Sequence, residues 1–290
     1  MVLYYALGGG LGHLVRARAV LYTLGLDRRA AVLSASPHAL DPRVVGELPV
    51  HRPPEALRDD TSAVAAWVVD TITRLEPSEL IVDAFPAGLL GELRLLRAPP
   101  PSTYVARLLR WSAYAPLAVG SPLRFARALV LEDLHPEHAA FTALVAAKIE
   151  PLALRDPPAS PSAPPAPAPP APFSLVVHAG DDVEITELVG YARDLAARDG
   201  RPPDAAPDPV LVCRPGPPSS ALAGVSTVDL HPATPLFAGA TRIVTACGFN
   251  VMRQLAPFAA KHHFLPFPRR YDDQYTRAAR ARGGSPRESA

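Results

Sequence analysis

Thr245-Ala246-Cys247-Gly248-Phe249-Asn250-Val251-Met252-Arg253-Gln254-Leu255, followed by Pro266-Phe267-Pro268-Arg269-Arg270-Tyr271-Asp272-Asp273-Gln274, is the stretch that decides the fold. Ile243 and Val244 just before it predict a short buried strand over Arg242–Ala246. Gly248 is expected to make a sharp turn, which glycine does at low steric cost. A helix is expected from Asn250, with Val251, Met252, Leu255 and Phe258 at helical spacing. A strand, a glycine and a helix start aim free amides at whatever lies above the strand. A second strand, predicted over residues 263–267, ends at the same level and delivers Arg269, Asp272, Asp273 and Gln274. Open parallel sheets bind ligands at the carboxyl ends of their strands. This segment is therefore a candidate nucleotide or sugar site.

The chain opens in the same way. Residues 2–7 are an apolar run suited to a central parallel strand. Gly8-Gly9-Gly10-Leu11-Gly12-His13 follows, then a helix with Leu14, Ala17, Leu21 and Leu24 inward. The loop, with Gly9, Gly10 and Gly12 as its candidate residues, is expected to turn tightly and let a ligand approach the helix. It fits neither the dinucleotide fingerprint nor a P-loop, and no Gly-Lys-Ser/Thr follows, which excludes an ATPase of that type. His13 either faces a ligand or caps its own helix. Further on, Leu80-Ile81-Val82 runs into Asp83-Ala84-Phe85-Pro86-Ala87-Gly88, with Glu92-Leu93 beyond. Asp83, at a strand's carboxyl end, is a candidate general base, with capping or loop-fixing as the alternative. Glu92 reads as structural.

Between these strings lie strands predicted at residues 30–34 and 50–52 and a helix over 60–76, inward at Val64, Trp67, Val68, Thr71 and Leu75 and stopped by Pro77. Strands are predicted at 102–108 and 128–131. His135-Pro136-Glu137-His138 matches no zinc spacing, and Pro136 is expected to oppose a helix aligning the two histidines, so no metal site is assigned.

Residues 157–172 are almost wholly Pro, Ala and Ser, as in an extended spacer. Ile149-Glu150-Pro151-Leu152 is expected to be a strand at the domain junction. A second series of alternating elements follows: strands at 173–178, 209–213 and 226–230, a helix at 183–198 and a short helix at 235–240. That alternation predicts a doubly wound domain. Arg214 is expected to pair with a diphosphate or to form a surface ion pair. Asp181 and Asp182 repel phosphate. The expected layout is an N-terminal Rossmann-like domain (1–150), a Pro/Ala-rich linker (151–172), a C-terminal Rossmann-like domain (173–284) and a tail (285–290).

Composition bounds the function. The 290 residues suffice for two domains, and a net charge of +1 argues against nucleic acid as a partner. Lys148 and Lys261 are the lysines; the other basic residues are arginine. Cys213 and Cys247 read as reduced thiols of a cytoplasmic protein. No apolar run reaches membrane-span length and no signal-peptide pattern opens the chain.

These strings resemble the family 28 glycosyltransferases of the GT-B fold, which include the bacterial peptidoglycan N-acetylglucosaminyltransferases, and a related group of predicted bacterial glycosyltransferases. The matching residues are Gly248, Phe249 and Asn250, then Pro266, Asp273, Gln274, Arg277 and Ala278, and separately the Asp83-x-Phe85-Pro86-x-Gly88 string. The resemblance implies an α/β chain of two Rossmann-like domains. It implies a hexosyltransferase using a nucleotide-sugar co-substrate, with no cofactor or protein-bound metal. The acceptor would be a small-molecule or lipid-linked hydroxyl, the latter with peripheral membrane contact. His13 would lie at the interdomain cleft, and His13 or Asp83 would take the acceptor proton. Gly248, Phe249, Asn250, Gln254, Asp273, Gln274, Arg214 and Arg269 would bind the donor, with Gln254 on the ribose where the family has glutamate. That substitution, the acidic loop at Asp181-Asp182 and the early end of the second domain are departures. They favour the alternative of a non-catalytic sugar-nucleotide-binding or regulatory protein. An epimerase-like hydrolase on this fold would need more cleft carboxylates.

Overall fold

The computed structural model describes residues 1–120, 123–158, 172–198, 208–216 and 224–283. The strands are β1 (Val2–Tyr5), β2 (Ala30–Leu33), β3 (Val50–His51), β4 (Glu79–Asp83), β5 (Ser102–Ala106), β6 (Arg127–Val130), β7 (Ile149–Pro151), β8 (Ser174–Val177), β9 (Val210–Arg214), β10 (Val225–Asp229), β11 (Arg242–Ala246) and β12 (His262–Leu265). The helices are α1 (Leu11–Thr23), α2 (Pro42–Val45), α3 (Thr61–Leu75), α4 (Trp111–Ala118), α5 (Pro136–Val145), α6 (Asp182–Arg198), α7 (Phe249–Gln254) and α8 (Gln274–Ala281). The described residues form two compact units: unit 1 is those up to 158 together with 270–273, and unit 2 is the remainder.

Unit 1 holds a parallel sheet ordered β3-β2-β1-β4-β5-β6-β7 among the described residues. Both faces are covered, so the strands are apolar throughout and their period of two sorts side chains between two cores. Leu3, Tyr5, Leu80, Val82 and Tyr104 face α3, with Val64, Val68 and Ile72. Tyr4, Ala6, Val32, Ile81 and Val105 face α1, with Leu14, Ala17, Val20 and Leu21. The alternation puts Asp83 on the α1 side. Strand order reverses between β1 and β4, so the loops leaving these strands flank the crevice where such sheets bind ligands.

Unit 2 repeats the plan with β10-β9-β8-β11-β12, all parallel and reversing between β8 and β11. Leu175, Leu211 and Ile243 line one face. Val176, Val212 and Val244 meet Ile185, Leu188 and Val189 of α6 on the other.

The strand expected at residues 149–152 is the edge strand β7, paired with β6 in the first sheet. Several other expectations are corrected. Pro136 starts α5 instead of opposing it, since proline at the first helical position loses no intrahelical bond. Strand β12 stops at Leu265, because Pro266 and Pro268 have no N–H to extend a ladder. The helix expected at 235–240 is one 3-10 turn, Thr234–Leu236. Most of the expected linker (159–171) and the tail (285–290) lie outside the described residues. Among the described residues no helix is long and apolar enough to cross a membrane.

Candidate active site

The crevice of the first sheet is built around a buried carboxylate. Asp83 ends β4 with no side-chain exposure. Oδ1 accepts from Tyr4 Oη at 3.0 Å and Arg16 Nε at 2.6 Å. Oδ2 accepts from Arg16 Nη2 at 2.5 Å and lies 2.6 Å from His13 Nδ1. His13 and Arg16 share a face of α1 because they are three residues apart. Arg16 is 3% exposed within the apolar face of α1, and a buried guanidinium is tolerated there only with such a partner. Arg16 Nη2 also lies 3.1 Å from His13 Nδ1. An ionised carboxylate only accepts, and it is the nearer partner, so Nδ1 carries its hydrogen toward Asp83 and leaves the lone pair on Nε2; the Arg16 contact, donor to donor, is then proximity and not a hydrogen bond.

The electrostatics fit that tautomer. Burial would raise the Asp83 pKa, but the Arg16 charge and the hydrogen bonds from His13 and Arg16 hold it well below the usual carboxylate range. Burial pushes His13 below its ordinary 6.5, and the charges of Arg16 and Arg107 add to this against the opposing pull of Asp83. His13 is therefore neutral at neutral pH. Its side chain is 14% exposed.

This arrangement corrects three expectations. Asp83 does not offer its own oxygens to a substrate, because both are saturated and buried; it is the partner of His13. His13 does not cap α1, whose N-cap is Gly10 without a side-chain cap. Among Gly8, Gly9 and Gly10, Gly8 is the one with a steric duty: an added Cβ would lie 2.3 Å from His13 Nε2. At Gly9 and Gly10 an added Cβ meets nothing, and Gly12 lies within the first turn of α1. Arg16 and Tyr4 were missed. The only sequence signal for Arg16 is its i,i+3 spacing from His13.

The surrounding loop is tied down by hydrogen bonds and ring contacts. Ala84 has φ +62°, a left-handed conformation that is strained for alanine. Its carbonyl accepts from Tyr104 Oη at 3.0 Å, and Tyr104 in turn lies 2.8 Å from His138 Nε2. His138 stacks on Trp111 at 4.3 Å, and burial pushes its pKa down to about 3. Beyond Ala84, Phe85 packs against His13, Tyr114 and Tyr271. Glu92 is the structural residue expected: buried, it bonds Tyr5 Oη and accepts from Leu90 N at 2.9 Å.

Residues 270–273 complete this unit. Asp272 bonds Arg107, and Asp273 Oδ2 lies 2.8 Å from His135 Nε2. Asp273, expected at the donor, thus engages α5. His135 and His138 diverge, one to Asp273 and one to the core. Among the described residues no group of three or more His, Cys, Asp or Glu could hold a metal ion.

The crevice of the second sheet is more occupied than expected. Gly248 is extended (φ −68°, ψ 144°), so its special freedom is unused, and an added Cβ would make only an ordinary contact. Phe249 and Asn250 are buried in the first turn of α7 and Gln254 is half-buried at its last residue. Gln274 is not open to a ligand: it is 4% exposed, and its Oε1 accepts from Cys247 N at 3.2 Å and Phe267 N at 3.1 Å. It ties together the exits of β11 and β12, while Arg277 donates to the Cys247 carbonyl at 2.8 Å. Arg269 bonds Glu184, with Nη2 to Oε2 at 2.6 Å, and Glu184 Oε2 also lies 2.6 Å from His178 Nε2. Arg214 pairs with Asp182 at 3.0 Å, the ion-pair alternative for this residue. Asp181 accepts from Glu184 N at 2.9 Å. Carboxylates of the acidic loop and first turn of α6 therefore engage both arginines expected to meet a diphosphate.

No family model matches the chain, and no curated protein does. Solved structures do. The glycosyltransferase SnogD from Streptomyces nogalater superposes with a TM-score of 0.53 at 15% identity, over 92% of this chain and 81% of that one. Spinosyn rhamnosyltransferase SpnG complexed with spinosyn aglycone gives 0.56 at 14% identity, over 98% and 86%. The calicheamicin glycosyltransferase CalG4 gives 0.53 at 16%, over 98% and 84%. The chain has the GT-B fold. In this GT-B chain each Rossmann-like unit has its own switch point, and that of unit 1 carries the His13–Asp83 pair.

Proposed function

We propose that the chain is a glycosyltransferase moving a hexose-type sugar from a nucleotide-sugar donor to a hydroxyl of a small-molecule or lipid-linked acceptor. The observation that carries this reading is the His13–Asp83 pair at the switch point of the first sheet. A neutral imidazole with Nδ1 committed to a buried carboxylate is built to take a proton at Nε2. In the proposed step the acceptor oxygen attacks the anomeric carbon and its proton passes to His13 Nε2. The bond between that carbon and the phosphate oxygen breaks, and the nucleoside diphosphate leaves with the electron pair. Asp83 stabilises the imidazolium that forms. Unit 2 takes the donor at its carboxyl edge, with Asn250 and Gln254 on sugar or ribose hydroxyls. The step uses no protein-bound metal. SpnG, which has been solved with thymidine diphosphate and with its aglycone, supports a nucleotide donor and a small-molecule acceptor.

The test is nucleoside-diphosphate release from a panel of nucleotide sugars with hydroxyl acceptors, compared between wild type and His13→Ala. Release lost in the variant with its melting temperature unchanged supports the reading; release unchanged refutes it. A second reading, a non-catalytic sugar-nucleotide-binding or regulatory protein, is favoured by the Arg269–Glu184 and Arg214–Asp182 pairs. It predicts no release with any donor from the folded wild type.

A further inference from the structure

Asp83 has no freedom to orient His13 on its own, because every lone pair it offers is taken. The bidentate fork of Arg16, Nε on Oδ1 and Nη2 on Oδ2, fixes the plane of the carboxylate. Tyr4 Oη takes the remaining position on Oδ1, and the position left on Oδ2 is the one His13 Nδ1 meets. Without the fork the carboxylate could rotate about its last torsion, which is broad and soft. We infer that Arg16 is a positioning residue for the base: it locks Asp83 so that Asp83 holds His13 in the Nδ1–H tautomer with Nε2 free to accept a proton. This rests on the reading of His13 as the base.

The charged groups around the imidazole are few and come from each element packed on it. Asp83 comes from β4 and Arg16 from α1. Tyr4 on β1 bonds the carboxylate, and Arg107 follows β5 with Asp272 bonded to it. Arg16 acts on His13 in two ways. Its fork fixes the tautomer, and its charge disfavours the imidazolium, which keeps the base unprotonated. The charge acts whatever the role of the pair, so the tautomer is the readout that a merely structural pair would leave unmoved.

The experiment is nitrogen-15 NMR of the histidine rings across pH, on wild type, Arg16→Lys and Arg16→Met, alongside kcat, KM and their pH profiles. Wild type is expected to show His13 as the Nδ1–H tautomer, titrating below 6.5. Arg16→Met is expected to raise the His13 pKa, move the acidic limb of kcat to higher pH and lower kcat at least about tenfold, with KM unchanged. Arg16→Lys keeps the charge and loses the fork, so the titration stays near wild type while both tautomers become populated. Should Arg16→Met fail to fold, Arg16→Lys decides. A folded Arg16 variant that keeps the wild-type tautomer overturns the proposal, whatever its titration. The NMR arm needs no substrate: an Arg16-dependent tautomer in a protein without transferase activity would sink the functional reading and leave the positioning role standing.

Discussion

At the scale of single residues, the account depends on where one imidazole sits. His13→Ala is expected to lower kcat about a hundredfold or more while the melting temperature holds. Gly8→Ala is the subtler test. Its methyl would enter the space of the His13 ring, and the ring is the part that can give way. We expect stability within about 1 kcal/mol of wild type and kcat lowered about a hundredfold by misplacement. Asp83→Ala leaves Arg16 buried without its carboxylate and is expected to cost about 3–5 kcal/mol, read by denaturant unfolding. The pH dependence has a definite sign. His13 has a folded pKa below its unfolded one, so its contribution to stability is complete above 6.5 and fades as pH falls below it. Asp83 is also depressed, so its contribution is lost in acid, as pH falls below the ordinary carboxylate range. The base is active when unprotonated, so the acidic limb of kcat should lie below 6.5.

At the scale of elements, helix ends are where local chemistry is most exposed. Asp60 caps α3 by accepting from Ser62 N at 2.9 Å and Ala63 N at 3.0 Å. Asp60→Ala is expected to cost about 1 kcal/mol. The same helix ends on Glu76 in a left-handed conformation at φ 43°, where glycine is favoured. Glu76 is exposed, so Glu76→Gly should stabilise by about 0.5–1 kcal/mol, seen as a higher unfolding midpoint. Elements were also the scale most legible in the sequence. The apolar runs at β1, β4, β8 and β11 are unmistakable, because a strand covered on both faces has no polar side. The period of Val64, Val68 and Thr71 placed α3 within a residue at each end. Side-chain direction was not legible. A motif puts Gln274 and Asp273 at the right edge but cannot say that one turns inward to two amides and the other to His135. Nor does an arginine in a helix announce that it is buried; Arg16 is known by its partner, which lies 67 residues away in the chain.

At the scale of the whole molecule, the two readings separate on nucleotide binding. A donor site in unit 2 should raise the melting temperature with one of UDP, GDP or dTDP, since a ligand at about 100 times its Kd adds about 2.7 kcal/mol. The carboxylates on Arg269 and Arg214 oppose that binding, and Glu184→Gln is expected to strengthen it if the site is used. The two-domain architecture was legible from the alternation of strand and helix on either side of the Pro-rich stretch. The junction was not, because residues 270–273 belong to unit 1 although their neighbours in sequence belong to unit 2. The measurement that tests the central claim most directly is nucleoside-diphosphate release from a nucleotide-sugar panel with hydroxyl acceptors, wild type against His13→Ala. The account predicts release with one donor base that falls about a hundredfold or more in the variant. Release that His13→Ala leaves untouched, or none from a folded wild type, would contradict it.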